Sequence, residues 1–396
     1  MAADYYSQYH EFCNFFTGTI AIKILKIFGL CLLIVIVTTA LIIALWFLRP
    51  NASEVKHPLA LEIWDAINDG MHNSNTDMTF FNNYFYLVHA SSPYHFATPE
   101  CKLVVWRSQD CKQWEKLSTV QIPGEDIRDP KFLVIGNRLI LFVLKSIEFT
   151  AEPYSTAYLV TNDGIHWSKL KVIGNHGWLF WRPKTFDGIT WYVPAYWHEH
   201  GKAMLFKSTD GINWQPVSII HAGSRCDETA IEFFPDGTMI STQRLEYSDS
   251  WLGDKRASTG IKTAKPPYTQ WTGIEDYSTR LDGPALFSYH GKVYAMGRKH
   301  PYKPGIVNKY GSILAKKRTA LWLVTPQRLV WLSDVPSAGD TGYAGYVKQG
   351  DTLYFSYYTS NINHDYPWIV GMIKQSPIII GKLGLQSLEQ LALYGR

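Results

Sequence analysis

The stretch KSTDGINW (Lys207–Trp214) places an acidic residue and a glycine in a turn that ends on a tryptophan. Related stretches are RSQDCKQW (Arg107–Trp114) and TNDGIHW (Thr161–Trp167). The short acidic side chain can accept hydrogen bonds from backbone N–H groups of its own turn, glycine permits the tight backbone, and tryptophan is an apolar plug. If the chain folds as a ring of repeats, the copies of this motif lie at equivalent positions around the ring. They then cannot meet at one point, as the residues of a catalytic site must. We therefore expect the motif to stabilise turns and the chemistry to lie elsewhere.

The motif belongs to a longer repeat with a period of about 50 residues. Six segments share a plan of strand, polar turn and strand, and a third strand follows each hairpin. Their turn residues tolerate the positive φ of hairpin turns and are Asn82-Asn83, Gly136-Asn137, Asp187-Gly188, Asp236-Gly237, His290-Gly291 and Gly350-Asp351. This pattern predicts an all-β fold, a six-bladed β-propeller, since radial repetition leaves only short sheet edges. A β-sandwich is the alternative, but it does not explain a fixed period.

The last repeat has to close the ring. We expect WIVGMIKQ (residues 368–375) to be its third strand. Either PLALEIW (Pro58–Trp64) or PIIIGKL (residues 377–383) then adds the outer strand that completes the sheet. The predicted propeller covers residues 58–396.

An apolar segment precedes the propeller. Residues Ile27–Leu48 contain no charged side chain, and at about 1.5 Å per residue they span a hydrocarbon core of about 30 Å. A cleaved signal peptide and a buried core helix are the alternatives, but the run is too long for a signal sequence and no cleavage site follows it. We predict a tail over residues 1–26, a single transmembrane helix over 27–48 and a linker over 49–57, with the propeller on the extracytoplasmic side.

Composition excludes several classes of protein. The chain is 46% apolar, which excludes a disordered protein, and its net charge of +4 makes nucleic acid a poor partner. Its five cysteines show no metal-ligand spacing, so we predict no metal and no cofactor. His198 and His200 lack a third ligand at useful spacing and are better explained as a solvated loop.

The hairpins also locate the centre of the ring. In a propeller the innermost strand of each blade lines the axis, and the residue before that strand points into the central funnel. These residues are charged in every repeat: Asp77, Arg128-Asp129, Arg182, Asp227-Glu228, Asp282 and Asp340. Charges that face one another are costly unless the funnel is solvated or binds a ligand. We expect a functional site here; the alternative is a set of ion pairs and turn caps that lock the blades.

The repeated motif resembles the Asp-box, S-x-D-x-G-x-x-W, of the sialidase superfamily, at Ser108–Trp114 and Ser208–Trp214. Two longer stretches strengthen the resemblance. Asp227–Gly237, which runs on to Arg244, is similar to the sialidase segment with a catalytic Glu and a substrate-binding Arg. Gly339–Tyr343 is similar to the segment with the nucleophilic Tyr. The resemblance covers roughly residues 70–375, is closest to uncharacterised sialidase-like bacterial proteins, and implies a six-bladed propeller.

The resemblance also implies roles for residues. Tyr343 would be the nucleophile and Glu228 its base, since a carboxylate nucleophile would be repelled by the carboxylate of a sialic acid. Asp77 and Asp129 are the candidate general acids. Arg244 and either Arg298 or Arg318 would bind substrate, with further contacts from Arg128, Arg182, Asp282 and Asp340.

The sequence departs from the sialidase pattern at one arginine. Where sialidases carry Arg before the first inner strand, this chain has Asn75–Met78. Arg128 or Arg182 from a neighbouring blade would have to substitute for it. The excess of carboxylates over arginines in the funnel favours a neutral sugar. The predicted function is a membrane-anchored glycoside hydrolase that acts on a glycan; the alternative is a non-catalytic, lectin-like propeller. A five-bladed glycosidase is a further alternative that the count of six hairpins disfavours.

Overall fold

The computed structural model describes residues 2–48, 52–56, 59–301, 305 and 309–394. The chain divides into two compact units, Met1–Pro50 and Asn51–Arg396. The first unit is the helix α1 (Ala2–Leu48), whose part Ile20–Leu45 is long and apolar enough to cross a membrane. The helix begins well before Ile27, so residues 2–26 of the predicted tail are helical. The predicted linker over 49–57 lies partly outside the described residues.

The described part of the second unit forms six antiparallel sheets around an axis, which confirms the predicted six-bladed propeller. Blade 1 contains β2 (His72–Phe81), β3 (Tyr84–Ser92), β4 (Lys102–Ser108) and β5 (Glu115–Val120). Blade 2 contains β6 (Glu125–Ile135), β7 (Arg138–Ile147), β8 (Ser155–Thr161) and β9 (Lys171–Val172). Blade 3 contains β10 (Trp178–Phe180), β11 (Lys184–Thr185), β12 (Trp191–Trp197), β13 (Lys202–Ser208) and β14 (Gln215–Ala222). Blade 4 contains β15 (Thr229–Phe233), β16 (Met239–Leu245), β17 (Ser258–Ala264) and β18 (Thr272–Asp276). Blade 5 contains β19 (Asp282–Tyr289), β20 (Lys292–Lys299), β21 (Arg318–Thr325) and β22 (Arg328–Asp334).

Blade 6 closes the ring with strands from both ends of the unit. Its order is β1 (Glu62–Ile67), β25 (Ile378–Gly384), β24 (Thr352–Thr359) and β23 (Thr341–Gln349). Both segments that the sequence offered for closure are therefore used. PIIIGKL supplies the third strand, and PLALEIW supplies part of the outermost strand.

The prediction of a strand at residues 368–375 was wrong. This segment contains the short helix α2 (Trp368–Met372), and α3 (Leu385–Tyr394) follows the last strand. The carbonyl group of Pro367 accepts hydrogen bonds from the N–H groups of Val370 and Gly371, at 3.0 and 3.1 Å, which starts a helical turn. Gly371 lies against the backbone of Asp340, where a Cβ would be 2.2 Å from the Asp340 nitrogen. The helix thus packs over the start of β23.

The middle strands are buried on both faces because each blade is covered by two neighbours. In β7 the residues Leu139–Leu144 are each at most 1% exposed. Leu139 and Leu141 pack in a cluster shared with blade 1, whereas Ile140 and Phe142 pack in a cluster shared with blade 3. The alternating side chains of one strand therefore join three consecutive blades into a continuous core.

The motif turns lie between the third and fourth strands of blades 1, 2 and 3, away from the axis. In KSTDGINW, Asp210 Oδ1 accepts hydrogen bonds from the backbone N–H groups of Ile212 and Asn213, both at 2.8 Å. Trp214 is 6% exposed and donates its indole N–H to the Gly211 carbonyl oxygen at 3.0 Å. Cys111 adopts φ 61° at the position that glycine holds in the other two copies. These contacts are local, as expected for a motif that stabilises turns.

Replacing Asp210 with alanine should lower the free energy of unfolding by about 1–3 kcal/mol, because the turn N–H groups lose a charged acceptor. Denaturant unfolding of the full chain in detergent measures this. Asp249→Ala is the matched control, since Asp249 is 80% exposed and lies 3.8 Å from Arg225. Equal effects of the two substitutions would contradict the role of the motif.

Candidate functional site

The inner strands of four blades carry a β-bulge at equivalent positions. Strand register breaks between Ser74 and Asp77, Arg128 and Lys131, Asp282 and Ala285, and Gly342 and Gly345. The first extra residue of each bulge has a positive φ: 48° at Asn75, 51° at Asp129, 60° at Gly283 and 49° at Tyr343. Left-handed conformations of residues other than glycine are strained and are often found at functional sites. We expected the funnel residues just before the inner strands; several of them lie instead at bulges within the strands.

Tyr343 and Glu228 meet at the centre of the ring although they are 115 residues apart. The Tyr343 hydroxyl group of blade 6 donates a short hydrogen bond to Glu228 Oε1 of blade 4. The other carboxylate oxygen accepts the backbone N–H of Gly283 at 2.7 Å. Arg244 Nη1 lies 2.9 Å from Glu228 Oε1. Glu228 and Tyr343 are 4% and 9% exposed, so three blades satisfy one buried carboxyl group.

Burial controls the protonation of this pair. Desolvation raises the pKa of Glu228 to about 7, against the opposing effect of the Arg244 guanidinium and with help from the nearby carboxylates of Asp227 and Asp282. Burial, together with the negative charge of Glu228, also raises the pKa of Tyr343 well above its usual value. At neutral pH Glu228 is therefore balanced between its two protonation states. A group in this condition can accept a proton from Tyr343 and return it.

Besides burial, the negative charge of Asp129 raises the pKa of both Glu228 and Tyr343, whereas Asp77 is held apart from solvent. Asp129 is 7% exposed, and its Oδ1 accepts a hydrogen bond from the Asn75 amide at 2.5 Å. Asp77 is fully buried. Its oxygens accept the backbone N–H groups of Met78 and Phe132, both at 2.7 Å, and a short hydrogen bond from Arg182. Of the two candidate general acids, Asp129 is the one that retains some exposure to solvent.

A buried lysine that the sequence analysis did not select adjoins Asp129. Lys131 is 2% exposed, and its ammonium group lies 4.2 Å from the centroid of the Trp181 ring. Burial lowers the pKa of Lys131 to about 8, although Asp129 opposes this shift. The signal available in the sequence was its place two residues after Asp129 in a predicted inner strand.

The arginines of the funnel are already paired with carboxylates. Arg244 Nε lies 2.7 and 2.9 Å from the two oxygens of Asp227. Arg298 is 1% exposed, and its guanidinium carbon lies 5.0 Å from the centroid of the Tyr343 ring. Arg298 also bonds Asp340 Oδ1 at 3.1 Å. Both arginines therefore lie beside the Tyr343–Glu228 pair, and both are already bound to carboxylates of the protein.

Asp282 is paired with an arginine that the sequence analysis missed. Arg280 binds the two Asp282 oxygens at 2.6 and 2.7 Å and also bonds Glu246. Arg298 Nη1 lies 3.9 Å from the same carboxylate. Arg280 is two residues before Asp282, a spacing that places both side chains on one side of an extended chain, which is the signal that was available.

Two candidate arginines bind elsewhere. Arg318 makes a bidentate pair with Asp365, with both N–O distances 2.8 Å. Arg128 bonds Asp126 at 2.5 Å and the His95 carbonyl oxygen at 2.8 Å. Among the described residues, neither guanidinium group hydrogen-bonds to the Tyr343–Glu228 pair. Of the alternatives Arg298 and Arg318, Arg298 is therefore the one beside Tyr343.

Comparison with solved structures identifies the architecture. The endosialidase of phage phi92 matches with a TM-score of 0.61 and 9% identity, over 83% of this chain and 69% of that one. Trypanosoma rangeli sialidase in complex with sialic acid matches with a TM-score of 0.55 and 13% identity, over 87% of this chain. The chain has the six-bladed propeller fold of the sialidases. It spans 61% of the length of that Trypanosoma protein. No family model and no curated protein matches the sequence.

Gly283 leaves room for the Tyr343 ring, because a Cβ at Gly283 would lie 2.8 Å from Tyr343 Cγ. Gly283→Ala should therefore lower the free energy of unfolding by at least about 1 kcal/mol more than Gly136→Ala. Gly136 is a matched control, since its φ of 58° is close to the 60° of Gly283 and a Cβ there meets nothing within 4 Å. Denaturant unfolding measures both free energies. Equal losses in the two variants would show that packing of the Tyr343 side chain does not require a glycine at position 283.

Glu228→Gln should change how stability depends on pH. Because the folded pKa of about 7 exceeds the usual 4.5, the folded chain holds a proton between these values that the unfolded chain releases. The parent therefore loses stability as pH rises through this window. Relative to the parent, Glu228→Gln should gain roughly 2–3 kcal/mol between pH 5 and pH 8. Urea unfolding at both pH values measures the gain, and Glu62→Gln, at an exposed carboxylate, should show none.

Proposed function

We propose that the chain is a membrane-anchored glycoside hydrolase in which Tyr343 is the nucleophile and Glu228 is its base. The short hydrogen bond between these two side chains, buried at the centre of the propeller, carries this proposal. A phenol is a poor nucleophile at neutral pH, and it is activated when an adjacent base removes its proton as it attacks. The hydrogen bond from the Tyr343 hydroxyl group to Glu228 supports Glu228 as that base.

The reaction we infer has two steps. Tyr343 Oη attacks the anomeric carbon and its proton passes to Glu228, while Asp129 protonates the leaving glycosidic oxygen. Water, activated by Asp129, then displaces Tyr343, and Glu228 returns the proton to the tyrosine. One structure of Trypanosoma rangeli sialidase holds 2,3-difluorosialic acid as a covalent intermediate, which supports a covalent route on this fold. The strained backbone of Tyr343 at its bulge also supports a functional role for this residue.

A neutral sugar fits the site better than an acidic one. Arg244, Arg298 and Arg280 are engaged by Asp227, Asp340 and Asp282 respectively. A substrate carboxylate would have to compete with these internal partners. It would also add a negative charge beside Asp129 and Glu228, which is costly in a buried site. We therefore propose a glycan whose hydrolysed residue is neutral.

The helical segment Ile20–Leu45 supports an anchor in the membrane. We propose that it crosses the bilayer once and that the propeller lies on the extracytoplasmic side, where glycans and glycoconjugates are accessible.

A glycan-binding propeller without activity is the second candidate. The residue at the bulge of blade 1 favours it. Sialidases carry an arginine before the first inner strand, whereas this chain has Asn75 there, and the Asn75 amide donates a hydrogen bond to Asp129. In that case the central carboxylates would bind sugar hydroxyl groups. Binding on a glycan array without turnover would select this function.

A panel of neutral glycosides and sialosides, incubated with the full chain in detergent, tests the hydrolase. We expect release of a neutral sugar, and a loss of at least about 100-fold in kcat for both Glu228→Gln and Tyr343→Phe. Tyr294→Phe is the matched control, because Tyr294 is buried and its hydroxyl group has no partner among the described residues. Activity that survives Glu228→Gln would refute this site, and release from sialosides alone would refute the neutral substrate.

A further inference from the structure

A second cluster of chemically active groups lies where the ring closes. His72 begins β2 in blade 1, His95 lies in the loop after β3, and Asp340 precedes β23 in blade 6. Their ligand atoms all lie within 4.8 Å of one another. His72 and Asp340 are fully buried, and His95 is 16% exposed at its side chain. The mechanism above uses none of these three groups.

The distances between the three ligand atoms suit a common metal ion. His95 Nδ1 lies 2.7 Å from Asp340 Oδ2, His72 Nε2 lies 3.2 Å from it, and the two nitrogens are 3.3 Å apart. Zinc lies about 2.0–2.2 Å from nitrogen and oxygen ligands. Neighbouring ligands at those bond lengths are roughly 3.0–3.4 Å apart in octahedral or tetrahedral geometry. The cluster therefore has nearly the size of a coordination shell.

The tautomer of His72 turns a lone pair towards the cluster. His72 Nδ1 lies 2.7 Å from the Lys374 carbonyl oxygen, which can only accept, so Nδ1 carries the proton. In neutral His72, Nε2 then has a lone pair that faces the carboxylate of Asp340. Metal-bound histidines are oriented in this way by a hydrogen bond from their other nitrogen to a carbonyl group.

Asp340 is oriented by its other oxygen. Oδ1 receives the Trp368 indole N–H at 2.7 Å and groups of Arg298 and Tyr358, both at 3.1 Å. Oδ2 points to the histidines, yet it has no hydrogen bond of acceptable geometry among the described residues. A buried carboxylate oxygen without such a bond is costly. A lone pair of His72 directed at it adds repulsion, which a cation between them would remove.

From this geometry we propose that His72 Nε2, His95 Nδ1 and Asp340 Oδ2 bind a divalent transition metal ion, with Zn²⁺ the best-suited representative. Two imidazoles and one carboxylate suit borderline ions such as zinc, and three protein ligands leave a coordination position open. The ion would join blade 1 to blade 6, the two blades between which the ring closes. It therefore stabilises the closed propeller.

Titration with Zn²⁺ against a chromophoric chelator tests the site, using the full chain in detergent after its metals are stripped. We expect one Zn²⁺ per chain, visible absorption bands when Co²⁺ is used instead, and a rise of a few degrees in Tm with Zn²⁺. His95→Ala should weaken Zn²⁺ binding at least tenfold and abolish the rise in Tm. His290→Ala is the matched control, because His290 pairs with Glu389 at 3.0 Å and belongs to no such cluster of described residues.

Two results would overturn the proposal. One is a parent chain that binds no stoichiometric Zn²⁺. The other is a His95→Ala variant that binds Zn²⁺, or gains Tm, as the parent does. His95→Ala is preferred to Asp340→Asn as the test variant, because a substitution of the buried Asp340 can prevent folding. His95 lies in a loop, and alanine there retains the backbone hydrogen bonds to Met372 and Arg128. Circular dichroism of the variant confirms that it is folded.

Discussion

The buried carboxyl group of Glu228 is the constraint on which the centre of this propeller depends. A carboxylate removed from water is unfavourable unless its oxygens are satisfied. Here the donors come from three blades: Arg244 from blade 4, the Gly283 backbone from blade 5 and Tyr343 from blade 6. Blades 4, 5 and 6 must therefore hold fixed positions relative to one another, so that all three donors reach the buried carboxyl group. The same arrangement that satisfies the charge places a proton acceptor beside a phenol.

Repeated bulges convert a symmetric ring into an asymmetric site. Four inner strands share the same irregularity, but the residue at each bulge differs: Asn75, Asp129, Gly283 and Tyr343. Glycine in blade 5 leaves the space that the aromatic ring of blade 6 occupies. An amide in blade 1 donates to the carboxylate of blade 2. At the three positions that are not glycine, a local backbone strain that costs a little thus accompanies an amide, a carboxylate and a phenol at the centre of the ring.

The sequence predicted the fold well because each hairpin is a local structure with its own turn residues, and their period determines the blade count. It misassigned residues 368–375, since an apolar run of that length is compatible with either a strand or a helix. It selected Glu228, Tyr343 and Asp129 as candidates. The choice between Arg298 and Arg318 needed the structure, because Arg318 pairs with Asp365, which is distant in sequence. The cluster of His72, His95 and Asp340 was beyond any spacing rule, because ring closure is what brings Asp340 of blade 6 to the two histidines of blade 1.

The most direct test of the account is intact mass spectrometry of the chain quenched during turnover of a fluorinated glycosyl fluoride. The fluorinated sugar should be the neutral sugar that the chain releases. Fluorine beside the anomeric carbon destabilises the oxocarbenium-like transition states, so a covalent intermediate accumulates if its breakdown is slowed more than its formation. If Tyr343 is the nucleophile, the mass should increase by one glycosyl unit, located on the peptide that contains Tyr343. Turnover with the adduct on another residue would contradict it.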